Sequence, residues 1–400
     1  MTKVVLVCNS DGALAVFRAP LIRALVTAGH EVVTISPRSV YFEALEEMGA
    51  RPIEIEFSRH SVSVFRNIGL LRDLVRAMRR ERPGVVHSFT HKAVIFGSFA
   101  ARLSGVKKIV ATVTGLGTLF IRTDARTRWL RRALVWQYRI FLPEGTPVLF
   151  QNPDDKAEME ALGAVQPSQS ILTNGSGIDL DEFDFPDSDT VARARQMLRF
   201  EIGMEIDGRI VALFPARGVP EKGFEEFYGA ARDLGSRYPG RYVFCHMGLI
   251  DTEVSGALGA DSVSDFAEAH GVHYLGFKTN PRTLMSAADV VVLPSYREGA
   301  PRSLIEGLAL GKSIVTTDTP GCRETVINGE NGFLCHVHDR DGLADAIARI
   351  DGDFLAKAGL RSRQLCEEKF DVHELNALTF GLYGVSPVAE PSQPAPSSGI

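Results

Sequence analysis

Residues 295–312 read SYREGAPRSLIEGLALGK and follow the run DVVVLP, so two glutamates, Glu298 and Glu306, stand eight positions apart just past a strand. Gly299 and Pro301 suit a turn, and Pro301 or Arg302 suits the first turn of a helix reaching about Leu310. The start of such a helix offers unpaired N–H groups and the positive end of its dipole, a seat for phosphate or sugar hydroxyls. Glu298 then lies in the loop before the helix and Glu306 roughly one and a half turns inside it, so one ligand across the helix start can touch both. Carboxylates suit vicinal hydroxyls because they accept charge-assisted hydrogen bonds. The plain alternative is a solvated loop glutamate and an exposed helix glutamate. Against it, Ile305, Leu308, Ala309 and Leu310 surround Glu306 with apolar neighbours.

A second group follows the run RIVALFPA. In RGVPEKGF, Arg217 and Lys222 sit five apart across a Gly-Val-Pro turn before another helix. Two cations and a helix start can neutralise a pyrophosphate without a metal, although an ordinary charged loop has the same spacing. Three Asp-x-Asp triplets (Asp179/Asp181, Asp187/Asp189, Asp351/Asp353) lie in polar segments away from strand ends and do not read as metal sites. Nearer the N-terminus, VVHSFTHKA places His87 inside a strand, where a satisfied core role is the commoner one. His91 and Lys92 follow it in a strand-to-helix loop that would face an inter-domain crevice. The loop NSDGALAVFR lacks the G-x-G-x-x-G fingerprint of dinucleotide-binding dehydrogenases, yet Asn9, Asp11 and Gly12 would line a cleft there. In TGLGTLF, Thr114 and Gly115 follow a strand, and the glycines permit close approach to backbone.

Ligands of open parallel sheets bind outside the carboxyl ends of the strands, so these residues need such sheets behind them. The chain supplies two. KVVLVC, EVVTIS, RPIEIEF, VVHSF, KIVATV and VLFQN alternate with helical stretches such as residues 17–28 and 67–82. After a small, polar segment at 171–183, a second series runs RIVALFPA, RYVFCHMG, VHYLGF, DVVVLPS and SIVTTD. Continuous β-branched runs separated by helices predict α/β architecture, with two doubly wound parallel sheets joined near residues 175–179. The expected domains are 1–175 and 176–371, with a C-terminal helix at about 372–385 packing back on the first. The Pro/Ser-rich residues 386–400 read as a disordered tail.

Composition narrows the class. With 45% hydrophobic and 23% charged residues the chain is a globular protein, and 400 residues suit two domains. No apolar run is long enough to span a bilayer, and the first one is too short for a signal peptide. Five scattered cysteines read as reduced thiols in the cytosol. The net charge of −5 is unevenly spread: residues 1–180 hold 23 Lys and Arg against 16 Asp and Glu, and the remainder holds 21 against 33. The basic half points to nucleic acid or to an anionic membrane, and the acidic half opposes a nucleic-acid groove spanning both. Residues 121–141 carry six arginines beside Trp129, Trp136 and Tyr138, which suits a helix lying on an anionic membrane. A surface helix packing its aromatics on the sheet is the plainer reading.

Together these stretches resemble family-4 glycosyltransferases of the GT-B fold, two Rossmann-like domains facing a central cleft. The nearest branch builds bacterial lipid-linked glycans, O-antigens and capsules. The resemblance covers about residues 3–383. It rests most on SYREGAPRSLIEGLALGKSIVTTDTPGCRETVINGENGF, then on RGVPEKGF and ILTNGSGIDLDEF, and more weakly on FRAPLIRALVTAGHEV and HSFTHKAVIFGSFAARLSGVKKIVATVTGLGTLF. It implies a retaining, metal-independent transferase without a cofactor, moving a hexose or N-acetylhexosamine from a nucleotide sugar, usually a UDP-sugar. The acceptor it implies is a lipid-diphosphate-linked saccharide, met by the front domain at the inner face of the plasma membrane. By the same resemblance Glu306 holds the ribose hydroxyls and Glu298 contacts the donor hexose. The backbone of Gly299, Ala300 and Pro301 binds sugar and phosphate, and Arg217 with Lys222 takes the diphosphate. Several family members have a histidine where this chain has Thr114, and His91 is the expected substitute. An epimerase or phosphorylase of the same fold, or a non-catalytic sugar-nucleotide-binding protein, fits the glutamate pair and the two cations less well.

Overall fold

A computed structural model of the chain describes residues 1–57, 64–249 and 260–386. The front domain is built on strands β1 (Lys3–Cys8), β2 (Glu31–Ser36), β3 (Arg51–Glu54), β4 (Val85–Phe89), β5 (Lys108–Val113), β6 (Val148–Phe150) and β7 (Ser170–Leu172). They form one parallel sheet in the order β3-β2-β1-β4-β5-β6-β7. The back domain holds β8 (Ile210–Phe214), β9 (Tyr242–Met247), β10 (Val272–Gly276), β11 (Val290–Leu293), β12 (Ser313–Thr317) and β13 (Gly332–Cys335), ordered β10-β9-β8-β11-β12-β13 and again parallel. In both sheets the order reverses beside the first strand of the domain, and the crevice that opens there is where ligands of such folds bind.

The uninterrupted apolar runs have a direct cause. Val5 and Val7 enter the core on one face of β1, while Val4 and Leu6 enter the core on the other. A strand covered on both faces must be apolar at every position, because its side chains alternate. The C-terminal helix Val372–Tyr383 returns to the front domain, where Phe380 and Tyr383 join the second of these cores. The two domain crossings meet at one place: Ile178 N–H donates to Phe370 O (2.7 Å), and Val372 N–H donates to Ile178 O (3.1 Å). Gly177 (φ +72°) is needed there, since a Cβ would lie 2.7 Å from Val372 Cα.

Three elements differ from expectation. The stretch expected at 17–28 forms the single helix Ala19–Thr27, but a separate helix, Asp11–Phe17, stands where a loop was expected, and the two are divided at Arg18, with Pro20 in the first turn of the second. Part of the segment taken as a linker pairs as β7, and a short strand, β13, extends the back sheet. The tail expected at 386–400 lies outside the described residues beyond 386. All five cysteines are buried.

Candidate active site

Helix Arg302–Ala309 buries Leu304, Ile305, Leu308 and Ala309 on one face. Pro301 stands at its N-cap without a side-chain hydrogen bond, which leaves the helix start open toward the cleft. Pro301 has no N–H, so backbone donors here come from Gly299, Ala300 and the first helical turn. In the preceding loop Glu298 Oε1 accepts a hydrogen bond from Ser295 Oγ (2.6 Å) and forms an ion pair with Lys222 Nζ. Lys222 reaches it from a single turn, Pro220–Lys222, closed by Gly223 in the left-handed region (φ +73°). A Cβ at Gly223 would lie 2.1 Å from Pro294 O, so glycine is what lets this turn pack on the exit of β11. Glu306 accepts from Arg302 Nε (2.8 Å), and Arg302 also donates to Gly177 O (2.8 Å) at the domain crossing. Burial pushes the Glu306 carboxyl above its ordinary range, and the Arg302 guanidinium opposes that shift.

Glu298, Gly299, Ala300, Pro301, Glu306, Arg217 and Lys222 all line one inter-domain cavity of about 470 Å³. Of the front-domain candidates, only Thr114 does. Gly115 (φ +124°) abuts the opposite loop instead: a Cβ there would lie 3.0 Å from Gly299 Cα, and a Cβ on Gly299 would lie 2.1 Å from Thr114 O. The two glycine-bearing loops therefore touch backbone to backbone across the cleft.

The other front-domain candidates sit elsewhere, each for a local reason. His91 opens helix His91–Leu103 with its ring turned under the basic helix, Nδ1 2.7 Å from Tyr138 Oη. Burial pushes its pKa down to about 4, so it is neutral at pH 7. Lys92 lines a separate hollow with Glu56 and Asp73. Asp11 is buried and holds the loop around Ser39, accepting from its N–H (2.6 Å) and Oγ (2.7 Å). Gly12 packs against the Tyr41 ring, where a Cβ would come within 2.9 Å, and Asn9 accepts from Cys8 Sγ (3.8 Å). Ala13, Val16 and Phe17 present the cleft face of this helix instead.

Several cleft residues escaped the sequence reading. Arg18, Thr90, Gln151, Arg302 and Ser303 line the cavity. Thr90 is held at φ +73°, a conformation that costs a non-glycine residue on the order of 1–3 kcal/mol. Asn152 is fully buried and donates from Nδ2 to Gly299 O (2.8 Å), tying the glutamate loop to the front domain. Arg297 pairs with Asp155 (2.5 Å) and Glu158 (2.8 Å), and Arg323 pairs with Asp154 (2.9 Å), which extends the tie between domains. Polar Gln151 and Asn152 directly after an apolar strand were the available signal. The discounted Asp triplets cap local structure: Asp187 and Asp351 accept from Thr190 N–H and Phe354 N–H, and Asp179 from the N–H groups of Asp181 and Glu182. Asp179 and Asp181 also come together with His373 at the surface, their ligand atoms within 4.8 Å of one another.

Known proteins match this architecture in both halves. The family described as Glycosyl transferase 4-like domain matches residues 12–175, and Glycosyl transferases group 1 matches residues 199–353. The chain is 29% identical over 334 residues to the N,N'-diacetylbacillosaminyl-diphospho-undecaprenol alpha-1,3-N-acetylgalactosaminyltransferase of Campylobacter jejuni, covering 84% of this chain and 85% of that one. It is 26% identical over 300 residues to the UDP-Gal:alpha-D-GlcNAc-diphosphoundecaprenol alpha-1,3-galactosyltransferase of Escherichia coli, covering 72% and 73%. Among solved structures, HepE of Anabaena in complex with UDP and glucose superposes with a TM-score of 0.77 at 17% identity, over 96% of this chain and all of that one. With both domains matched and the glutamate pair seated at the inter-domain cleft, the chain belongs to the family-4 glycosyltransferases of GT-B architecture.

Proposed function

We propose that the protein transfers a hexose or N-acetylhexosamine, with retention, from a UDP-sugar to a lipid-diphosphate-linked saccharide in bacterial surface-polysaccharide assembly. The observation that carries this reading is that Glu298, Glu306, Arg217 and Lys222 line a single cavity at one helix start. The similarity to transferases named for undecaprenyl-diphosphate acceptors supports the acceptor class. In this reading Glu306 takes the ribose hydroxyls, and Glu298, already steadied by Ser295, contacts the hexose. Arg217 and Lys222 stabilise the charge that develops on the departing diphosphate. The bond from the sugar C1 to the diphosphate oxygen breaks, and one from the acceptor hydroxyl to C1 forms on the same face. With His91 bonded to Tyr138 and not lining the cavity, the proton of that hydroxyl leaves with the departing diphosphate oxygen.

Two cations at the leaving group make a divalent metal unnecessary, and turnover persisting in excess EDTA is the expected outcome. The nucleotide assignment is tested by titrating UDP into wild type and Glu306→Ala. Loss of a charge-assisted pair of hydrogen bonds weakens binding about 10- to 100-fold. Equal affinities contradict the ribose role.

The same reading puts the front domain against an anionic leaflet. Helix Ala125–Phe141 exposes Trp129 (66%), Trp136 (57%) and Ile140 (44%), whose spacing places them on one side with Arg132. Among the described residues no helix is long and apolar enough to cross a membrane.

A further inference from the structure

Arg18 breaks the first helical stretch of the front domain and faces the cleft, although only 7% of it is exposed. Its guanidinium stacks on Phe89, 4.5 Å from the ring centre. The titratable groups close to it are Cys8, His87, Tyr383 and Arg302. None is a carboxylate, and burial keeps the Tyr383 hydroxyl protonated and His87 neutral. Arg302 is a second cation, already engaged by Glu306. Among the described residues no carboxylate pairs with Arg18, and burial lowers its pKa only to about 10, so it stays charged at pH 7.

A buried cation without a partner is costly, and a fold holds one at a cleft wall when a ligand supplies the anion. We propose that Arg18 is the front-domain arm of an anion clamp: it takes a diphosphate oxygen entering the cleft between it and the Arg217–Lys222 side. The inference rests on the nucleotide-sugar reading given above. Donor and acceptor of that reaction both carry a diphosphate, so the shared chemistry is a diphosphate and its source is an outcome of the test. Geometry suits guanidinium better than an ammonium here, because a planar fork can stack on Phe89 while its edge binds phosphate.

Arg18→Gln and Arg18→Lys, each in the full chain, test the proposal. Without ligand, Arg18→Gln melts no lower than wild type, since the unpaired buried charge is gone. Its affinity for inorganic pyrophosphate falls about 10- to 100-fold, the loss of a charge-assisted hydrogen bond, and Arg18→Lys restores part of it. If UDP affinity falls in parallel, the anion is the donor's diphosphate. If UDP affinity is unchanged while KM for the lipid-linked acceptor rises at least tenfold, it is the acceptor's. A folded Arg18→Gln protein with wild-type affinity for pyrophosphate and UDP and an unchanged acceptor KM overturns the proposal. So does a variant that melts several degrees lower with binding intact, because that is a structural residue. Should wild type bind pyrophosphate through Arg18 but neither UDP nor any UDP-sugar, the nucleotide-sugar reading fails and the anion clamp stands.

Discussion

His91 and Glu306 are both pushed toward their neutral forms by burial, yet their positions give them different work. The His91 ring bonds Tyr138 below the cleft wall, whereas Glu306 lines the cavity. His91→Phe therefore leaves kcat/KM within about twofold, while the buried Tyr138 hydroxyl loses its partner at a cost of about 1–3 kcal/mol, measured by denaturant unfolding. The pH dependence has a definite sign. His91 is at about 4 folded and near 6.5 unfolded, so the unfolded chain binds more protons between these values. Stability is full above pH 6.5 and declines toward pH 4, and the decline is shallower in His91→Phe. An identical slope in the two proteins contradicts the burial of that ring. At this scale the glutamate pair and the two cations were legible because each follows a strand that sequence alone can place. Asn152, Arg297 and Arg18 were not. Their meaning lies in partners or surroundings far along the chain, such as Gly299 for Asn152 and Asp155 for Arg297, and spacing carries no trace of those contacts.

The elements that position the site depend on a few backbone contacts that side-chain reading misses. The turn Pro220–Lys222 can place Lys222 on Glu298 only because Gly223 admits Pro294 O. Gly223→Ala faces both a positive φ and that contact, so it destabilises the fold by about 1–3 kcal/mol and draws Lys222 off Glu298. Turnover falls about 100-fold, more than the stability loss accounts for, since folded protein still dominates. Wild-type turnover in Gly223→Ala shows instead that the turn does not set the lysine. The strands themselves were readable from continuous β-branched runs, with two exceptions. β7 and β13 are only three and four residues long, and β13 begins with glycine, so neither gives a pattern above its surroundings. The helix Asp11–Phe17 before Arg18 was also missed, because the small and polar residues of NSDGALAVFR read as a loop.

Across the whole molecule, the basic charge and the exposed tryptophans lie on a different domain from the glutamate pair. The basic front domain carries the helix Ala125–Phe141, whose tryptophans are exposed, and the glutamate pair belongs to the back domain. Each basic residue near an anionic leaflet contributes about 1 kcal/mol, screened within a Debye length, while inserted aromatics add a salt-resistant part. Arg131 is not available for this role, since it donates to Leu119 O (3.0 Å) and Arg122 O (3.2 Å) and stacks on Phe120. The expected outcome is that the protein co-sediments with anionic vesicles, and that Trp129→Ser with Trp136→Ser and Arg132→Glu releases it while UDP affinity is unchanged. Sedimentation of that triple variant like wild type makes this an ordinary surface helix. The central claim concerns chemistry, and following UDP release from a panel of UDP-sugars with a lipid-diphosphate-linked saccharide tests it most directly. Wild type should release UDP with at least one donor in an acceptor-dependent way, and Arg217→Ala and Lys222→Ala should each lose on the order of 10²–10³ in turnover while remaining folded. No acceptor-dependent release from any donor, or undiminished release from both variants, contradicts the account.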